Sequence, residues 1–141
     1  MPVSNSQKKH PAYWVPTTWF AMGLPFVALA AASSLMYKNM GIPDSQIAFW
    51  TSLIMLPWTL KPLWGPFLEM YKTKKFFVYT TQIFTGILFG LVGFSLHLNH
   101  FFSISIAILS IIAISGATHD TAADGVYLNE LSAELQAKYV G

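Results

Sequence analysis

The sequence predicts an all-α membrane protein with four transmembrane helices. Three observations predict it. Of 141 residues, 54% are hydrophobic and only 10% are charged, where a soluble domain carries about 25% charged residues. Mean hydropathy is +0.49. Four stretches approach or exceed the about 20 mostly apolar residues that a membrane-spanning helix needs, and their apolar residues cover all faces rather than the single stripe of a soluble helix.

The first stretch runs over about 13–37. Its length, its aromatic residues and its internal Pro16 and Pro25 set it apart from a cleaved signal peptide. The second covers about 47–63, extendable to Leu68, and holds Pro57. The third covers about 76–98 and the fourth about 101–124. Pro16, Pro25 and Pro57 are expected to interrupt their helices, because each leaves a carbonyl without its partner N–H. Gly86, Gly90 and Gly93 make a small-residue face on the third stretch, expected to allow close helix packing. The connections are short: a Gly-x-Pro turn within 38–46, a polar and basic loop at 65–75, and a tight turn at 98–100. The chain thus divides into a tail, 1–12, a four-helix body, 13–128, and a polar segment, 129–141, leading toward a fifth helix. Four helices followed by such a segment look like the opening of a longer polytopic protein.

Lysine placement sets the orientation. With four alternating helices, Lys8, Lys9, Lys72, Lys74, Lys75 and Lys138 share one side and Lys38 lies on the other. The N-terminus, the second loop and the C-terminal segment are therefore expected to be cytoplasmic. Tyr13, Trp14, Trp19 and Trp50 suit interfacial belts or packing. There is no cysteine and no arginine, and net charge is +2. Disulfides, cysteine metal sites and bidentate guanidinium recognition are absent from the chain, and nothing points to nucleic acid. No Ser-His-Asp set, HExxH or phosphate-binding glycine loop appears. The chain is not read as an enzyme, and no cofactor or metal is expected.

The fourth stretch ends in His119, Asp120 and Asp124 (SGATHDTAADGVYLNEL). Ionisable groups inside a membrane are costly and are functional candidates by default. Asp120 and Asp124 are four apart, on one helix face. Asp120 lies about 28 Å past Phe101, near the inner edge of a hydrocarbon core about 30 Å thick. The pair reads as a proton- or cation-coupling site, as an ion pair with a lysine, or as interfacial charge. His119 points about 100° away on the helix and is either a direct participant or a hydrogen-bonding neighbour. Lys61, in LPWTLKPLWG, pairs with one of the acids, snorkels to the headgroups or binds an anionic solute.

The loop GPFLEMYKTKK resembles the conserved loop between the second and third helices of the major facilitator superfamily. Gly65 matches its first glycine, Glu69 replaces its Asp, Lys72 its second glycine, and Lys74 supplies a basic position. LKPLWGPFLEMY and ATHDTAADGVYLNELSAELQAKYVG resemble the AmpG-like permeases, bacterial inner-membrane importers of anhydro-muropeptides. Asp120, Asp124 and Lys61 match that family's pattern, while His119 stands where glutamine is usual and Gly125 where alanine is usual. The resemblance covers nearly the whole chain. It implies the first four helices of an N-terminal six-helix bundle, working by proton-driven symport and alternating access. Its partners would be the lipid bilayer, protons, a small solute and the remaining helices. It implies that Asp120, Asp124 and Lys61 couple protons, with His119 a candidate. Gly65, Glu69, Lys72, Lys74 and Lys75 would form a cytoplasmic latch, and Thr17, Thr18, Ser33 and Ser34 on the first helix could touch solute. These hydroxyls could equally bond to their own helix. A competing expectation is a non-transporting four-helix scaffold or small subunit of a larger complex. Further hydrophobic segments encoded downstream of Gly141 would exclude it.

Overall fold

The computed structural model describes residues 10–71 and 73–139, with the side chains of Trp64, Glu69 and Tyr71 left aside. Every element among them is helical. The chain opens with α1 (Pro11–Val27), a π-helical turn (Ala28–Ala32) and α2 (Ser33–Asn39). Together these form one rod of 29 residues. His10 starts it, its Nδ1 accepting from the N–H of Ala12, and Pro11 occupies the first turn, where no donor is lost. Pro16 sits inside α1 without ending it. Pro25 is followed within three residues by the π-helical turn, one of the usual answers of a helix to a missing donor. The rod closes on Gly41, at φ 80°. Gly41 N–H donates to the Lys38 carbonyl and Ile42 N–H to the Tyr37 carbonyl, a Schellman ending that requires the left-handed conformation glycine adopts without strain.

The second apolar stretch is not one helix. It forms α3 (Asp44–Ile54), α4 (Leu56–Thr59) and α5 (Lys61–Tyr71), broken at Met55 and Leu60. Pro57 and Pro62 each fall second in a segment, where proline fits the first turn and cannot continue the one before. Next come α6 (Lys74–Ser95), α7 (Phe101–Glu130) and the short α8 (Ala133–Tyr139). Among the described residues, three helices are long and apolar enough to cross a membrane: the Pro11–Asn39 rod, α6 and α7. That is the architecture an all-α membrane protein requires.

α7 is the axis of the molecule. Thr85 and Ser115 share a hydroxyl hydrogen bond of 2.8 Å, and Lys75 meets Glu130 at 2.7 Å, so α6 runs antiparallel to α7. Tyr37 Oη and Ser105 Oγ lie 2.7 Å apart, and Trp19 meets Tyr127 edge to face at 5.9 Å, so the first rod is antiparallel too. Trp58 packs at Gly116 and Lys61 reaches Asp120, so α4 and α5 run parallel to α7. Ile106, Leu109, Ile112 and Ala113 of α7 form the core with Leu29, Tyr37, Ile47, Ile54, Leu88 and Val92. Phe20, Leu35, Phe49, Leu63, Ile83, Phe94 and many other large apolar side chains point outward. The glycine face of α6 departs from expectation. Gly86, Gly90 and Gly93 are exposed, and nothing lies within 4 Å of an added Cβ at any of them. α6 packs instead through Thr85, Leu88, Val92 and Ser95. Larger side chains on that face offer more apolar contact area to α7 than a glycine edge does.

α8 folds back on the end of α7. Tyr127 Oη donates to the Gln136 carbonyl at 2.6 Å. Gln136 Nε2 donates to the carbonyls of Leu128 and Leu131 at 3.1 and 2.9 Å. These bonds satisfy acceptors that a helix end otherwise leaves open.

Candidate functional site

α7 turns four of its polar residues toward the other helices. Ser105, Ser115, His119 and Asp120 are all buried. Asp120 is 8% exposed, and its two oxygens have different surroundings. Oδ2 accepts from Lys61 Nζ at 2.5 Å and from Trp58 Nε1 at 3.0 Å. Oδ1 is buried without a hydrogen-bond partner, as are both ring nitrogens of His119. Unpaired buried polar atoms are rare and call for an explanation.

The broken second stretch builds this arrangement. Trp58 stands in the four-residue α4 and Lys61 opens α5, three residues further along. That spacing puts both on one side of the chain, and both reach one carboxylate oxygen of α7. Gly116, one turn before Asp120, makes the approach possible. A Cβ there would lie 2.9 Å from Trp58 Cζ2, 3.0 Å from Cη2 and 3.4 Å from Pro25 Cβ. The Trp58 ring is also held edge to face by Phe26, 5.6 Å away. Neither Trp58 nor Gly116 stands out in the sequence. The available signal was spacing: Trp58 three before Lys61, and Gly116 four before Asp120.

Asp124 is placed differently. It is exposed and lines a crevice of about 10 Å³ with Trp14, Val15, Thr18, Trp19, Met22, Ala123 and Tyr127, room for about one water. Lys61 and Asp120 act on it electrostatically, as Asp120 does on His119. The structure therefore brings Lys61 to Asp120 in a direct pair and leaves Asp124 one turn further along, facing α1.

The hydroxyls on the first rod are engaged with their own helix. Thr17 Oγ1 donates to the Tyr13 and Trp14 carbonyls, Thr18 to Trp14, Ser33 to Leu29 and Ser34 to Ala30. Thr17 and Thr18 also line a cavity of about 860 Å³ bounded by Trp14, Tyr79, Gln82 and the Lys75–Glu130 pair. Asp120 is not part of it.

Of the latch residues, Lys72 and the Glu69 side chain lie outside the described residues. Gly65 faces α7, an added Cβ lying 3.8 Å from Thr121 Cγ2. Lys75 pairs with Glu130. The Lys74 chain crosses Gly125 so closely that a Cβ at 125 would collide with its Cδ. Glycine at 125 leaves a groove for that lysine. Among the described residues, no group of three or more metal-ligating side chains occurs. Comparison of the chain with family models, curated proteins and solved structures found no match.

Proposed function

We propose that this chain is the opening part of a proton-coupled secondary transporter of the AmpG-like branch of the major facilitator superfamily. It would reside in a bacterial inner membrane with its N-terminus cytoplasmic, and import muropeptide-like or other glycoconjugate solutes by alternating access. The observation that carries the reading is Asp120. It is buried on a helix long enough to span, with one oxygen held by Lys61 and Trp58 and the other unpartnered.

A carboxylate in that position has two states with different partners. Ionised, it holds the Lys61 ammonium. Protonated, it loses the attraction and can donate a hydrogen bond of its own. A proton arriving at Oδ1 would then release α5 from α7, which links protonation to helix movement. The broken α3–α5 stretch supports the reading, since secondary transporters build their sites on discontinuous helices. Its 28 residues, Asp44 to Tyr71, would extend about 42 Å as helix, enough to serve as a fourth crossing. The four crossings then alternate in direction, and the lysines of the 72–75 loop mark the cytoplasmic end. Asp124, exposed toward that end, would pass protons between Asp120 and the cytoplasm, with His119 beside it.

The test is uptake of radiolabelled anhydro-muropeptide by membrane vesicles carrying the full-length protein under an imposed pH gradient. Wild-type uptake is expected to follow the gradient, and Asp120→Asn and Asp124→Asn are expected to uncouple it. Unchanged gradient-driven uptake in both variants would sink the coupling role.

A further inference from the structure

We infer that Trp58 is a positioning residue for Asp120: seated in the notch at Gly116, it fixes which carboxylate oxygen meets Lys61 and which is left to take the proton. This rests on the coupling role proposed for Asp120.

The geometry is specific. Lys61 and Trp58 come from opposite sides of the break at Leu60, yet both bond to Oδ2. An ammonium alone is a point charge that either oxygen satisfies equally. The indole N–H removes that freedom, because its ring is seated against Gly116 and Phe26. Gly116 lies against one part of the ring and Phe26 meets it edge to face. With Oδ2 doubly occupied, Oδ1 is the oxygen without a partner. The groups that bear on Asp120's charge are then few. Lys61 opens α5. His119 and Asp124 share α7 with Asp120. α4 brings Trp58 and no charge, and α1 has no Asp, Glu, Lys or His. Lys74 and Lys75 of α6 lie further along α7, against Gly125 and Glu130, five and ten residues past Asp120. Asp44 of α3 is held by Lys38 near the end of the first rod. Trp58 is the one uncharged donor to Asp120 among the described residues, and hydrogen bonds to ionised groups are stronger than those between neutral groups.

The position also ties Asp120 to the first rod. Phe26 and Pro25 stand two and three residues before the π-helical turn at Ala28–Ala32. A shift of that turn would move Phe26 against Trp58, and Trp58 against Asp120.

The experiment uses the full-length protein in lipid nanodiscs, with indole nitrogens labelled, and the same uptake assay. Trp58→Phe identifies the Trp58 N–H resonance by its loss. That resonance is expected to move across the pH range in which uptake titrates, and to stop moving in Asp120→Asn. Trp58→Phe keeps most of the ring but has no donor, and is expected to displace the pH midpoint of uptake by about one unit or more. A Trp58→Phe profile that superimposes on wild type, with uptake still uncoupled in Asp120→Asn, overturns the positioning role and leaves the coupling role standing. Wild-type gradient-driven uptake in Asp120→Asn overturns both. Should Trp58→Phe not fold, Gly116→Ala identifies the resonance by displacing it. An indole signal insensitive to pH in the wild type then overturns the inference.

Discussion

Gly116 lies directly beneath the Trp58 indole, close enough that one added methyl would meet the ring at 2.9 Å. The neighbouring atoms are an aromatic ring pinned by Phe26 and the ring of Pro25, neither of which yields easily. Gly116→Ala therefore forces α4 away from α7. Overpacking of this kind costs about 1–3 kcal/mol, against a helix-propensity gain of up to about 1 kcal/mol. Gly86→Ala meets nothing within 4 Å and receives the propensity gain alone. Thermal unfolding in detergent is expected to rank Gly86→Ala at or above wild type and Gly116→Ala below it. Equal melting temperatures for the two would remove the notch.

The Lys61–Asp120 pair is expected to behave as a buried pair. The two side chains are 28% and 11% exposed. Removing one partner of such a pair costs about 3–5 kcal/mol, whereas replacing both is often nearly neutral. Lys61→Met alone leaves the carboxylate with only the Trp58 N–H. Lys61→Met combined with Asp120→Leu leaves no buried charge there. A double-mutant cycle, read by unfolding in mixed detergent, is expected to show the double variant more stable than Lys61→Met. Simple additivity would mean that the pair is solvated.

How much of this was legible in the sequence follows from what kind of information each feature needs. The long apolar helices are written in composition, and so is the cost of Asp120 among them. Lys61 was readable as a partner because a lysine and an aspartate near the same end of two helices have little else to meet. Trp58 was not readable. Its role depends on the relative register of two parallel helices, which spacing within either one does not set. The breaks at Met55 and Leu60 were only half visible: Pro57 announces one, but Pro62 next to Lys61 fits the end of a single helix as well as the start of a new one. The hydroxyls of Thr17, Thr18, Ser33 and Ser34 carried two readings, and the backbone carbonyl one turn back is always within reach in a helix. The glycines of α6 follow the small-residue spacing of a packed interface, yet the larger residues beside them make the contacts. Spacing alone does not tell which face of an almost wholly apolar helix turns inward.

The hydroxyl bridge between the first rod and α7 gives an asymmetric prediction. Tyr37 and Ser105 are fully buried, and Ser105 also donates to the Phe102 carbonyl at 3.1 Å. Tyr37→Phe leaves Ser105 that second bond. Its cost is expected near 0.6 kcal/mol, typical of hydrogen bonds between membrane helices. Ser105→Ala strands the phenol without a partner, at about 1–3 kcal/mol. Ser105→Ala is thus expected to be the more damaging variant, though it removes the smaller group. The reverse order in an unfolding series would show that the phenol finds another partner.

The absence of cysteine from the sequence makes the site open to mapping by single cysteines without a prior background change. A charged, membrane-impermeant thiol reagent needs both access and water, since the thiolate is the reactive species. Asp124 is exposed at the crevice beside Trp14 and Tyr127, Asp120 is buried, and Gly86 is exposed on an apolar face. Added from the side of the lysine-bearing loop, the reagent is expected to label Asp124→Cys readily. Asp120→Cys should react at least about tenfold more slowly, because a position that is only 8% exposed admits a charged reagent poorly. Gly86→Cys should stay unlabelled despite its exposure, because the surface there faces lipid rather than water. Rapid labelling of Gly86→Cys would mean that the glycine face of α6 is wet. Labelling of Asp124→Cys only from the opposite side would invert the orientation drawn from the lysines.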